Sequence, residues 1–277
     1  MANSSVTPAS KWSDLGLRSL SAAVLIPAVI ADVWVGGAWF SLLVALLGVL
    51  VAFEWTTIVH RQDALQFALH ALAALCAVLL PPTAGLAAIG VVWIVSAALA
   101  MVKDGAGFWR FLGVPYASVP GIALVLLRND AEMGALAILW VMATVWAADT
   151  LAYFVGRIIG GPKLAPVLSP KKTWAGLGGA IAGSAAASVI FASLAGLRGI
   201  VALALLAGAL AVVEQGGDLF KSAMKRHFGV KDSGHIIPGH GGIIDRVDGL
   251  MAVAVAAAII GWLRSGPGAT AVGLLVW

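Results

Sequence analysis

Long apolar segments alternate with short polar ones along the chain, and this alternation predicts its secondary structure. A membrane-spanning helix needs about 20 consecutive, mostly apolar residues. By that criterion the sequence predicts nine spans, near 17–35, 37–59, 64–80, 84–102, 111–127, 133–156, 175–195, 199–220 and 248–264. The fifth span is short and contains Pro115 and Pro120, so a broken or re-entrant helix is an alternative there. The pattern predicts an all-α, polytopic membrane bundle.

The distribution of Lys and Arg gives the predicted spans an orientation, because positive residues collect in cytoplasmic segments. With a cytoplasmic amino terminus, all of the 17 Lys and Arg residues except Arg128, Arg198 and Arg264 fall in cytoplasmic segments. Adding or removing a span would destroy this alternation for every later segment. We therefore expect nine spans, a cytoplasmic amino terminus and an external carboxyl terminus. The first span also resembles a secretory signal, but the alternation favours its retention.

Composition supports a membrane protein and excludes several other classes. The chain of 277 residues is 61% hydrophobic and 11% charged, whereas soluble domains are about half apolar and a quarter charged. Disordered chains are also excluded, because they have low hydrophobicity. We expect a single membrane domain over 1–277, in which 1–130 forms scaffold helices and 131–264 carries the catalytic helices and loops. Gly179 and Gly183 form a small-residue step that suits a helix contact within the bundle.

Ionisable residues at membrane depth are costly and by default mark a functional site. Asp32 and Glu54 lie in the first half of the chain without neighbouring basic residues, which favours a structural hydrogen-bonding role. Asp149, Glu214 and Asp218 lie in the second half, beside the two most polar cytoplasmic loops. The second half is therefore the predicted location of any chemistry.

The first polar loop follows the sixth predicted span. Asp149 and Tyr153 are one helical turn apart and are expected to point from that span towards the loop. The loop then carries a series of basic and hydroxyl residues: Arg157, Lys163, Ser169, Lys171, Lys172 and Thr173. Ammonium and hydroxyl groups beside a helix start favour a phosphate site for residues 169–173. Contact with anionic lipid headgroups is the alternative, and for Arg157 and Lys163 it is equally favoured.

The second polar loop joins the eighth and ninth spans. Asp218, Ser222 and Lys225 recur at helical spacing, so one helix face carries a carboxylate, a hydroxyl and an ammonium group. Asp245 and Asp248 share a second helix face. Clustered carboxylates are usually stabilised by a shared proton or a hard cation. Because many basic residues nearby suit phosphates, we favour Mg²⁺, which one or two carboxylates hold together with substrate phosphates.

Residues 222–248 resemble the signature of the phosphatidate cytidylyltransferases, also called CDP-diacylglycerol synthases. The residues that match are Ser222, Lys225, Arg226, Lys231, Asp232, His240, Gly241, Gly242, Asp245, Arg246 and Asp248. A second block of the family is similar to these residues: Trp146, Asp149, Thr150, Tyr153, Gly156, Lys163, Leu164, Ser169, Pro170, Lys172 and Thr173. One departure is Ala175, where many members carry Glu; this leaves open whether another carboxylate substitutes.

The resemblance implies an integral membrane transferase that converts CTP and phosphatidic acid into CDP-diacylglycerol and pyrophosphate with Mg²⁺. It also implies a homodimer in the bacterial cytoplasmic membrane, a site facing the cytoplasm, and K⁺ as a candidate second cation. Asp218 and Asp245 carry over as metal ligands, with Asp248 as a further ligand or a residue behind them. Nucleic acid is not an expected partner.

We expect Ser222, Lys225, Arg226 and Arg246 to act on the reacting phosphates. The wider substrate-binding set comprises Asp149, Tyr153, Ser169, Lys171, Lys172, Thr173, Lys231, His240, Gly241 and Gly242. Two alternatives remain open. A transporter would use intramembrane carboxylates but should have matching polar residues in two repeats, and a CTP-dependent polyprenol kinase would transfer the terminal phosphate of CTP instead.

Overall fold

The computed structural model describes residues 11–105, 107–234, 236 and 241–277, and most of this part of the chain is helical. The helices are α1 (Lys11–Val35), α2 (Gly37–Val59), α3 (Ala64–Leu79), α4 (Pro82–Asp104), α5 (Phe108–Arg128), α6 (Gly134–Ile158), α7 (Trp174–Leu194), α8 (Ile200–His227), α9 (Ile244–Ser265) and α10 (Thr270–Leu275). A hairpin of β1 (Lys163–Ala165) and β2 (Ser169–Thr173) joins α6 to α7.

Each of the nine predicted spans corresponds to one helix, α1 to α9. Within the described residues, seven helices, α2 and α4 to α9, are long and apolar enough to cross a membrane. Helix α3 has 16 residues, which is somewhat below the usual length of a span. The prediction of a polytopic helical membrane protein is confirmed, and the count of nine crossings and their orientation stay predictions.

Helix α5 is continuous, so the alternative of a broken fifth span was wrong. Pro115 has no N–H to donate to the carbonyl oxygen of Phe111, one turn earlier. The indole Nε1 of Trp93 on α4 donates to that oxygen instead, at 2.5 Å. A neighbouring helix thus replaces the missing donor, which is how a membrane helix tolerates proline.

The hairpin and α10 are the described elements that the apolar pattern did not predict. Lys163 is paired with Thr173, and Ala165 with Ser169, in an antiparallel ladder. Strands of three and five residues are too short to produce a recognisable alternation. The hairpin forms a defined wall beside the end of α6.

Helix packing brings the two polar loops to the same end of the bundle. Helices α6, α7, α8 and α9 pack in sequence order, α3 packs between α2, α4 and α5, and α5 joins the two groups through α9. Gly179 and Gly183 face α6, where a Cβ atom would lie 2.7 Å from the Leu151 carbonyl oxygen and 2.8 Å from that of Ala147, respectively. Their interpretation as a contact within the bundle is confirmed.

Asp130 holds the opposite end of the bundle together. Its Oδ1 accepts the N–H groups of Glu132 and Met133, and its Oδ2 accepts those of Ala271 and Val272, at 2.9 to 3.1 Å. The carboxylate is 5% exposed. It thereby fastens the start of α10 to the loop before α6, far from the polar loops.

Candidate active site

Helices α8 and α9 extend beyond the predicted apolar spans into the polar loop, as the helical spacing of their polar residues indicated. Helix α8 continues to His227, about two turns past its predicted end, and α9 begins at Ile244 rather than at 248. Lys225, Arg226 and His227 form the last turn of α8, where positive side chains interact favourably with the helix dipole. Two polar helix faces therefore adjoin at this end of the bundle.

Lys221 lies at the centre of the three aspartates that the sequence singled out. Its Nζ is 2.9 Å from Asp218 Oδ1, 3.3 Å from Asp245 Oδ1 and 2.7 Å from Asp248 Oδ2. The aspartates from α8 and α9 thus converge on one ammonium group. Their predicted proximity is observed.

Two further lysines complete this group. Lys225 Nζ lies 2.5 Å from Asp245 Oδ1, and Lys172 Nζ lies 2.6 Å from Asp218 Oδ2. We call the six residues the aspartate–lysine cluster: Lys172, Asp218, Lys221, Lys225, Asp245 and Asp248. Its three carboxylates balance its three ammonium groups, so the half-buried site carries little net charge in this state.

A polar cavity of about 620 Å³ opens on one side of the cluster, between α6, the hairpin, α7 and α8. Asp218 and Lys172 belong to the cluster and also line this cavity. The other polar residues that line it are Asp149, Tyr153, Arg157, Lys163, Lys171, Thr173 and Gln215. Four of its lining side chains are basic, so the cavity suits a polyanion.

An apolar groove of about 510 Å³ lies on the other side, between α5, α8 and α9. Asp248 is its one carboxylate. The remaining lining residues are Leu112, Pro115, Tyr116, Val119, Pro120, Val213, Gly216, Gly217, Phe220, Met251, Ala252 and Val255. The cluster therefore contributes Asp218 to the polar cavity and Asp248 to the apolar groove. Lys221 contacts both of these aspartates.

Several predicted phosphate-binding residues have other roles in the structure. Thr173 is buried, and its Oγ1 accepts the Gly176 N–H at 3.0 Å, so it caps α7 rather than offering a free hydroxyl. Ser169 is paired with Ala165 at the far end of the hairpin. The Tyr153 hydroxyl accepts a hydrogen bond from Arg157 Nη1 at 2.7 Å.

The other predicted residues lie on α8, on β2, in the loop between α8 and α9, and on α9. Ser222 is half-buried on α8, and Lys171, Arg226, Lys231 and Arg246 are exposed. Gly241 has a positive φ of 83°. Gly242 is buried against Ser233 and Glu54. His240 lies outside the described residues.

Lys221 and Gln215 were not predicted as site residues. Lys221 was counted only among the cytoplasmic basic residues, although its spacing of three from Asp218 is typical of a helical ion pair. Gln215 Oε1 accepts a hydrogen bond from Lys172 Nζ at 2.6 Å. An uncharged residue of this kind gives no signal in a search for ionisable groups.

The chemistry of the donor set fits Mg²⁺ in an open site. Among the described residues, no three His, Cys, Asp or Glu side chains form a ready-made metal cage. Mg²⁺ needs only one or two carboxylates when substrate phosphates supply further oxygens. Oxygens of Asp218, Asp245 and Asp248 already surround one positive charge, so they could hold a cation once Lys221 moves away.

Comparison with known proteins decides the family. The model described as "Cytidylyltransferase family" matches residues 16–263. The chain belongs to the cytidylyltransferase family. The chain is 39% identical over 261 residues to the phosphatidate cytidylyltransferase of Brucella abortus, covering 92% of this chain and 96% of the relative. The predicted resemblance is confirmed.

Two other bacteria supply further relatives with the same name. The Pseudomonas aeruginosa protein is 36% identical over 263 residues, which cover 88% of this chain and 96% of the relative. The Bacillus subtilis protein is 43% identical over 128 residues, or 46% of this chain and 48% of the relative. In this chain, Ala175 is half-buried in the first turn of α7, next to Gly176 in the cavity wall.

Proposed function

We propose that the chain transfers the cytidylyl group of CTP to phosphatidic acid, forming CDP-diacylglycerol and pyrophosphate. The observation that carries this proposal is the aspartate–lysine cluster between a polar cavity and an apolar groove, in a member of the cytidylyltransferase family. The names of the relatives support the same reaction. We place the enzyme in the bacterial cytoplasmic membrane with the polar cavity facing the cytoplasm, because Lys and Arg concentrate at that end.

The two cavities suit two substrates of opposite character. The basic residues of the polar cavity match the triphosphate of CTP. The groove between α5, α8 and α9 is almost wholly apolar and matches the acyl chains of phosphatidic acid. With the substrates on the two sides, their phosphates meet at the cluster.

The reaction requires two anions to approach each other. An oxygen of the phosphatidate phosphate attacks the α-phosphorus of CTP and forms a new P–O bond, while the bond to the β-phosphate oxygen breaks and pyrophosphate leaves. Such transfers depend mainly on positioning and on charge stabilisation. No general base is needed, because the attacking phosphate is already ionised near neutral pH.

The cluster provides this charge by exchanging ion partners. In the described state each ammonium group is paired with a carboxylate, so a ligand must compete with these ion pairs. When a nucleotide enters, Lys172, Lys221 and Lys225 turn to phosphate oxygens. Asp218 and Asp245 would then be free to hold Mg²⁺, with Asp248 as a further ligand or a residue that supports them. When bound, Mg²⁺ supplies positive charge to the triphosphate.

We also assign to the reacting phosphates Ser222 and Arg226 on α8 and Arg246 on α9. Each lies within a few residues of a member of the cluster. Lys231, His240 and Gly241 belong to the connecting loop and remain part of the proposed substrate-binding set. The homodimer and a K⁺ ion beside Mg²⁺, which the family resemblance implies, stay predictions.

A labelling experiment tests the reaction. Purified protein in lipid nanodiscs receives phosphatidic acid, Mg²⁺ and CTP labelled at either the α- or the γ-phosphate. We expect α-label in the lipid product and γ-label in pyrophosphate. Transfer of γ-label to a lipid alcohol would indicate a polyprenol kinase instead, and movement of a solute without either transfer would indicate a transporter.

Lys171 and Lys172 are adjacent but should differ in their effects. Lys172→Ala removes an ammonium group that contacts Asp218, so we expect a loss of about 10- to 100-fold in kcat/KM. Lys171 is exposed, so Lys171→Ala should raise the KM for CTP by about two- to fivefold. Steady-state kinetics with CTP and phosphatidate varied separately measure both.

Lys103→Ala is the matched control for this comparison. Lys103 is an exposed lysine that pairs with Asp63 at 2.7 Å, outside the cavity. We expect its kinetics to equal those of the wild type. Equal losses for Lys171→Ala and Lys172→Ala would contradict the distinction between a cluster lysine and a peripheral one.

A further inference from the structure

Glu54 on α2 reaches the start of α9, although the two are almost 190 residues apart in sequence. Its Oε1 accepts the N–H of Ile243 at 2.8 Å, and its Oε2 accepts the N–H of Ile244 at 2.9 Å. The first N–H groups of a helix have no partner within the helix. One buried carboxylate therefore satisfies two of them, and the expectation of a structural hydrogen-bonding role is confirmed.

The absence of a side chain at Gly234 and Gly242 makes space for the Glu54 carboxylate. A Cβ atom on Gly234 would lie 2.6 Å from Glu54 Oε1, and one on Gly242 would lie 2.8 Å from Glu54 Oε2. The Gly242 Cβ position is also close to Ser233 Oγ. The loop segments on both sides of residues 235–240 thus pack directly on the Glu54 carboxylate.

Hydrogen bonds connect the same loop to Asp245. The N–H and the hydroxyl of Ser233 both donate to Asp245 Oδ2, each at 3.0 Å. Ser233 immediately precedes Gly234, and Asp245 immediately follows Ile244. Glu54 therefore contacts the neighbours of both the aspartate and the serine that orients it, without touching the aspartate–lysine cluster itself.

The burial of Glu54 makes the arrangement sensitive to its charge. The residue is 1% exposed, and hydrogen bonds to a charged acceptor are stronger than neutral ones. The positive end of the α9 dipole further favours a carboxylate at this place. A glutamine would offer one acceptor oxygen and direct an NH₂ group at the second N–H, so one buried donor would lose its partner.

We propose that Glu54 is a positioning residue for catalysis: it fixes the first turn of α9 and thereby the orientation of Asp245. This inference rests on the proposed cytidylyltransferase reaction. It assigns to a helix of the predicted scaffold half a direct influence on the chemistry. Removal of a residue that orients a metal ligand typically lowers metal affinity or activity by about 10- to 100-fold.

The test compares Glu54→Gln with Asp130→Asn in purified enzyme. Asp130 is a matched control, because it too is a buried carboxylate that accepts backbone N–H groups, but at the opposite end of the bundle. For Glu54→Gln we expect kcat to fall about 10- to 100-fold and the Mg²⁺ concentration for half-maximal activity to rise about tenfold. The KM for phosphatidate should stay within about twofold of wild type, since the groove is untouched.

Hydrogen exchange provides a readout that does not depend on activity. In Glu54→Gln the amides of Ile243 and Ile244 should exchange faster, whereas those of the other helices should be unchanged. In Asp130→Asn the melting temperature should fall, while kcat and the Mg²⁺ dependence per folded molecule stay at the wild-type values. This contrast separates positioning from general destabilisation.

Glu54→Asp and Gly234→Ala keep the test decisive if Glu54→Gln does not fold. Both retain a carboxylate but displace it from the α9 amides, and both should reproduce the loss in kcat and the raised Mg²⁺ requirement in milder form. The inference is overturned if the folded variants show wild-type kcat and Mg²⁺ dependence, or change no more than Asp130→Asn. A wild-type enzyme that forms no CDP-diacylglycerol would overturn the proposed function instead.

Discussion

Asp245→Asn is expected to lower kcat by about 10²- to 10³-fold, which is the usual loss when one preorganised charge-stabilising group is removed. Asp245 is the carboxylate that Lys221, Lys225 and Ser233 all contact. Asparagine keeps its size and can still accept from Ser233, but it has no negative charge for Lys225 or for Mg²⁺. The measurement is kcat at increasing Mg²⁺, with CTP and phosphatidate saturating.

Asp218→Asn should behave in the same way, because Asp218 contacts two lysines of the cluster. Glu132→Gln is the control, since it also converts an acid into its amide, at an exposed position beyond the opposite end of the bundle. It should retain full activity. Wild-type turnover of both aspartate variants at low Mg²⁺ would remove these residues from the metal site.

The helices could be predicted from sequence because one physical requirement dominates them. A chain that crosses lipid must satisfy its backbone hydrogen bonds within each span, so long apolar segments become helices. This rule located α1 to α9, but it described only the apolar part of each. The ends of α8 and α9 extend into the polar loop, where Lys221 and Asp245 are too polar to count as span residues.

The sequence predicted which site residues lie close together only where they recur at regular helical spacing. Asp218 and Lys225 share a helix face, and so do Asp245 and Asp248, so these pairs could be identified. Whether α8 and α9 bring the pairs together depends on tertiary packing, for which a single sequence gives no rule.

Residues that support the site from a distance left weaker signals. Glu54 could be recognised as a buried carboxylate needing hydrogen bonds, but its partners lie in a loop far along the chain. Thr173 was predicted to meet a phosphate, and a hydroxyl before a helix serves equally well as an N-cap. The structure resolves this ambiguity through the bond from the Gly176 N–H.

Lys221→Met should have the second large effect, and it should separate metal binding from turnover. Methionine has a similar length but no charge, so three carboxylates would face one another without their central ammonium group. Removing one partner from a buried ion pair destabilises a protein by about 3–5 kcal/mol. We therefore expect a clearly lower melting temperature without divalent ions, and a fall in kcat of about 10²- to 10³-fold.

The same variant should respond more strongly to Mg²⁺ than the wild type does. In the wild type a cation entering the proposed site would have to displace the Lys221 ammonium group from Asp218, Asp245 and Asp248, whereas in Lys221→Met it would meet no such competitor. Ligands that bind the folded state raise its stability, so added Mg²⁺ should raise the melting temperature of Lys221→Met more than that of wild type. Lys103→Met, which removes a lysine outside the cluster, should show the wild-type response. An unchanged melting temperature and no added sensitivity to Mg²⁺ would mean that Lys221 does not occupy the place of the cation, and the proposed exchange of ion partners would then fail.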